Sequence, residues 1–133
     1  MKISKKSFKT INGLELVVIN RRSAVIFEIE EFHKEDRYDF LLRFSSEVFK
    51  NLLEHIEAIS NKSWTNITPK ECDSLGADYS EYYDRQFDNN GYMSIGQNVL
   101  LVERPCLESN KLYQFTKRKM ESFIHDFRKA VLL

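Results

Sequence analysis

Three histidines, two cysteines and several short runs of like charge are the residues here that could do chemistry. His33, His55 and His125 are scattered, and an imidazole becomes a general base only beside a nucleophile or an orienting acid. No nucleophile elbow, P-loop, dinucleotide fingerprint or metal-ligand pair accompanies them. The acidic pairs Glu30-Glu31 and Glu35-Asp36 could transfer protons. Neighbouring side chains on a strand point to opposite faces, however, so neither pair is expected to act as a dyad. Cys72 and Cys106 make neither a disulfide framework nor a metal-binding spacing, and reduced thiols in a cytoplasm are the simplest reading. The expectation is a protein that is not an enzyme and uses no metal or cofactor.

Binding suits the charge pattern better. The 20 Lys and Arg cancel the 20 Asp and Glu, so no overall field draws the chain to nucleic acid or to a membrane surface. Local patches remain. Glu28, Glu30, Glu31, Glu35 and Asp36 crowd one predicted strand and its turn. Asp73, Asp78, Glu81, Asp84 and Asp88 surround Tyr79, Tyr82 and Tyr83. Tyrosine supplies buried area at an interface, while carboxylates steer a basic partner and select it. The candidate partner-binding residues are therefore Glu28, Glu30, Glu31, Asp78, Glu81, Tyr82 and Asp84. An alternative anion-binding site is Lys117-Arg118-Lys119, where cations oppose a helix dipole that by itself favours anions. Lys2, Lys5, Lys6 and Lys9 form a second basic group.

These residues hang on a simple succession of elements. Strands are predicted over residues 7–11, 14–19, 24–32 and 38–44 from alternation and β-branched content. Asn12-Gly13 suits a type I′ hairpin turn, which needs positive φ at both central residues. Val25, Phe27 and Ile29 fall on one face of the third strand and Glu28 and Glu30 on the other. A helix follows over about 46–60, with Ser45 placed to cap it. In the connector 61–78, Thr68-Pro69-Lys70-Glu71 combines a capping box with proline at the first helical position, predicting one or two turns to Leu75. Trp64 is expected to anchor this connector on the core. Strands then recur over 79–87, 92–95, 99–104 and 111–115, with a second Asn-Gly turn at Asn90-Gly91 and a last helix over about 117–131.

The two halves match. Phe44-Ser45 precedes apolar residues at 49, 52, 53 and 56; at the same offset Phe115-Thr116 precedes them at 120, 123, 124 and 127. That spacing buries one helical face. The chain therefore reads as an α+β protein, residues 1–133 forming a single domain of two β-β-β-β-α repeats, about 3–60 and 79–131. Two such units in one small chain resemble the Whirly and PUR-type folds, in which curved antiparallel sheets pack with helices. The resemblance implies single-stranded DNA or RNA binding on a basic, aromatic sheet surface. The residues themselves favour a non-catalytic protein-binding module, such as a bacterial immunity protein neutralising a basic toxin domain. No apolar run suited to a signal peptide follows Met1–Thr10, and no stretch approaches the ~20 apolar residues that span a bilayer. A cytoplasmic protein without a membrane partner is expected.

Overall fold

A computed structural model describes residues 3–29, 39–70, 92–103 and 111–132. The elements are β1 (Ser4–Lys9), β2 (Glu15–Arg21), β3 (Ala24–Ile29), β4 (Asp39–Arg43), α1 (Ser46–Ser63), β5 (Tyr92–Gly96), β6 (Val99–Glu103), β7 (Lys111–Phe115) and α2 (Lys117–Leu132). The protein is α+β, with two antiparallel sheets and two helices. One sheet has four strands in the order β1-β2-β3-β7, and the other has three in the order β4-β6-β5. Each sheet thus borrows an edge strand from the other half of the chain: β7 lies beside β3, and β4 beside β6.

Alternation decides which side chains enter the core. Val25, Phe27 and Ile29 of β3 are buried, as are Phe40 and Leu42 of β4 and Leu100 and Val102 of β6. Phe44 and Phe115, the aromatic residues just ahead of the two helices, are both buried. A run of rings ties the layers together. Phe115 lies 4.9 Å from Phe123, Phe123 lies 5.4 Å from Phe127, and Phe127 lies 4.5 Å from Phe49 of α1. Such spacings are those of favourable aromatic pairs. Outside the core, the Arg128 guanidinium donates through Nε to Glu57 Oε2 at 2.6 Å, joining α2 to α1.

The helices start alike. Ser45 Oγ accepts from the Val48 amide at 3.2 Å, and Thr116 Oγ1 accepts from the Lys119 amide at 3.3 Å. Each hydroxyl satisfies an amide that has no partner within its helix. The end of α1 differs from expectation, since the helix continues past Ser60 to Ser63. Tertiary contact explains the extra turn. Ser63 Oγ donates to the Arg21 carbonyl at 2.7 Å, and the Ser63 carbonyl accepts from the Ser23 amide at 3.1 Å. Trp64 then closes the helix, its amide donating to the Ser60 carbonyl at 3.0 Å, and its half-buried side chain packs against the core.

The first hairpin corrects a prediction. Its strands end at Lys9 and restart at Glu15, so residues 10–14 form the loop and the two-residue type I′ turn is not made. Gly13 has φ +90°, whereas Asn12 is not among the positive-φ residues. Asn12 has another task. Its Nδ2 donates to the Leu41 carbonyl at 2.7 Å and its Oδ1 accepts from the Arg43 amide at 3.1 Å. The Ile11 amide adds a bond to the Arg43 carbonyl at 2.8 Å. The loop thereby covers the open edge of β4, which would otherwise present unpaired backbone groups. The predicted strand over 79–87 and the Asn90-Gly91 turn lie outside the described residues. So does most of the short helix predicted from Pro69; Pro69 and Lys70 themselves are not helical.

Candidate functional site

Of the residues singled out for partner binding, only Glu28 falls within the described chain. It is half-buried on β3, at a bulge between Phe27 and Glu28, with Val17 and Lys111 as register partners. A lysine opposite it makes Glu28 part of a mixed-charge row rather than of an acidic patch. Glu30, Glu31, Asp78, Glu81, Tyr82 and Asp84 lie outside the described residues, as do His33, Cys72 and Cys106.

Along the basic run at the start of α2 the three side chains differ in exposure. Arg118 is exposed, Lys117 is half-buried and Lys119 is buried at 7% exposure. Successive helical residues are about 100° apart, so three in a row diverge. Lys117 alone lines the cavity that Arg22 and Lys62 also line.

His55 has a more specific setting than a surface residue. It lies in the groove between β1 and α1, half-buried, with its ring 5.5 Å from that of Phe8. Burial, then the charges of Lys6 and Lys62, lower its pKa below the usual 6.5. Glu54 lines the same groove. His125 sits beside Asp126, with Nδ1 3.3 Å from Oδ1. Among the described residues no three His, Cys, Asp or Glu side chains are grouped to hold a metal ion. No described helix is long and apolar enough to cross a membrane.

The outer face of the three-stranded sheet brings together what the sequence kept apart. Register places Asp39 opposite Glu103, and Glu103 opposite Tyr92, in one row across the strands. The next outward row is Leu41, Leu101 and Ser94, and the third is Arg43, Val99 and Gly96. Phe40, Val102 and Met93, between the first two rows, point inward and are buried. Asp39 and Glu103 are exposed, and neither makes an ion pair or hydrogen bond among the described residues. Like charges directly opposite on a sheet repel. Beside them, Leu41 and Leu101 stand 38% and 37% exposed, an apolar pair of a size that sheets usually turn inward. The strip is therefore apolar in the middle, with acids and a tyrosine at one end and an arginine at the other.

Sequence reasoning passed over Asp39, Glu103 and Tyr92. The available signal was that Asp39 and Glu103 each flank an alternating apolar run whose exposed positions are leucines. Their juxtaposition depends on β4 pairing with a strand from the other half of the chain, which no local pattern announces. By contrast, the opposite face of the four-stranded sheet carries Lys5, Ser7, Lys9, Glu15, Val17, Glu28 and Gln114 around Ile19 and Ile26, which are buried at 6% and 7% exposure, with no aromatic among these described residues. Compared with known proteins, the chain matches no family model, no curated protein and no solved structure.

Proposed function

We propose that the protein is a non-catalytic binding module that docks a basic protein on the outer face of its three-stranded sheet. A toxin domain held in check by an immunity protein is the specific form of this reading. The observation that carries it is the row Asp39, Glu103 and Tyr92 beside the exposed pair Leu41 and Leu101. A lysine or arginine of the partner, set between the two carboxylates, replaces a repulsion with two charge-assisted hydrogen bonds. An apolar partner side chain on Leu41 and Leu101 would exclude water and slow dissociation, while the acids speed encounter.

A duplicated β-β-β-β-α plan remains part of this reading. Its support is the exchange of edge strands between the sheets and the matching hydroxyl caps at Ser45 and Thr116. Single-stranded nucleic acid binding of the Whirly or PUR kind needs bases stacked on exposed aromatics of a basic sheet face. It finds little to use on the described outer face of the four-stranded sheet.

Titration of the purified chain against a panel of purified basic nuclease domains tests the proposal, with calorimetry as the readout. Binding to one of them that is lost in Asp39→Lys with Glu103→Lys, and that weakens as salt rises, supports it. Tight binding to single-stranded oligonucleotides that survives those reversals and is lost in Lys117→Glu would overturn it.

A further inference from the structure

A cavity of about 500 Å³ lies where the β2–β3 turn, the end of α1 and the start of α2 meet. Three cations reach it from three elements: Arg22 from the turn, Lys62 from the last turn of α1, and Lys117 from the first residue of α2. No carboxylate is among its lining residues, and none of the three cations has an ion pair among the described residues. In a chain with as many acids as bases, such a gathering of unpaired cations around one hollow calls for an anion. The walls are fixed in advance. Ser63 Oγ donates to the Arg21 and Ala24 carbonyls at 2.7 and 3.3 Å, and Ser23 holds φ +60° within the two-residue turn it forms with Arg22. Trp64 completes the lining with the protein's single indole.

The geometry points to a binding site for a small phosphorylated ligand that carries an aromatic ring, of mononucleotide size. A single carboxylate would leave two cations uncompensated, whereas a nucleoside diphosphate brings several negative charges together. The Arg22 guanidinium offers a planar fork suited to two phosphate oxygens, and Lys62 and Lys117 act as mobile point charges beside it. The Trp64 ring offers a face on which any base can stack. The cavity volume falls in the range of small-molecule sites. This site is separate from the outer face of the three-stranded sheet and does not depend on a protein partner.

Because Trp64 is the only tryptophan, its fluorescence reports on this cavity directly. The full chain is titrated at low salt with ADP, adenosine and inorganic phosphate, and each titration is repeated by calorimetry. ADP should change the fluorescence saturably and bind at least about tenfold more tightly than phosphate, with adenosine weaker still. Arg22→Ala and Lys62→Ala remove exposed side chains and leave the fold intact, and each should weaken ADP roughly fivefold or more. Lys117→Glu should remove the response. No heat or fluorescence change up to ~10 mM ADP would overturn the proposal. Equal affinity for phosphate and ADP, or ADP binding indifferent to Arg22→Ala and Lys62→Ala together, would also overturn it. Tighter binding of a single-stranded oligonucleotide than of ADP would assign the cavity to nucleic acid instead.

Discussion

Neutralising Asp39 and Glu103 together, as Asp39→Asn with Glu103→Gln, should make the free protein more stable. Register sets the two residues directly opposite on adjacent strands, both exposed and both without a cationic partner among the described residues. Directly opposite Cβ atoms stand roughly 5 Å apart, and flexible carboxylates can splay to about 6.5 Å. At that distance two unit charges in a water-like medium repel by roughly 0.6 kcal/mol. Salt near 0.1 M, with a screening length of about 10 Å, reduces this to roughly half. An unfolding entropy of about 2.1 cal/mol/K per residue gives the 133-residue chain roughly 280 cal/mol/K, so 0.6 kcal/mol becomes a rise in Tm of about 2 °C. Calorimetric melts of the two proteins at low and high salt measure it. The variant should melt higher, with the difference shrinking as salt is added. A variant that melts lower than the parent at low salt, or a difference that grows with salt, would refute the repulsion. The same substitutions remove the charges proposed to meet a basic partner, so stability and binding should move in opposite directions. Residues kept for structure alone would not show that divergence.

Other outcomes are equally specific. Phe123→Ala should cost roughly 3–5 kcal/mol in urea unfolding, because a fully buried ring 4.9 Å from Phe115 and 5.4 Å from Phe127 leaves a cavity between sheet and helix. Asn12→Ala should cost about 1–2 kcal/mol by losing two side-chain bonds to β4, and the Arg43 amide should exchange its hydrogen faster. His55 gives a pH dependence of definite sign. Its folded pKa lies below 6.5, lowered by burial and then by Lys6 and Lys62, so below pH 6.5 the unfolded chain takes up the proton first. Stability should therefore fall as pH drops through 6.5 and level off once folded His55 is also protonated. His55→Gln should flatten that slope in denaturant titrations between pH 7 and 5.

Much of the fold was legible in the chain because the forces that shape it act over a few residues. The i, i+3, i+4 rows of Phe49, Leu52, Leu53 and Ile56, and of Met120, Phe123, Ile124 and Phe127, are periodic only as helices, and each helix is capped by the hydroxyl immediately before it. Alternation in β3 and β4 likewise told which side chains would join the main core, although Ile26, on the other face of β3, is buried as well. Where a segment's fate hung on distant partners, sequence reasoning fell short. Asn12 looked like a turn residue and proved to be the clasp on the β4 edge, because its amide finds backbone groups that lie 29 and 31 residues away. Lys117, Arg118 and Lys119 are adjacent in the chain, and their places on the helix give them unequal burial. The candidate interface and the cationic cavity are wholly tertiary. Asp39 meets Glu103 only because β4 leaves its own half of the chain to pair with β6, and Arg22 meets Lys62 and Lys117 only because Ser63 pins the β2–β3 turn to the end of α1. Local patterns report what a residue does to its neighbours three or four positions away. Which strands become neighbours is settled by the burial of all the apolar faces at once, and a charge acquires its partner only after that choice is made.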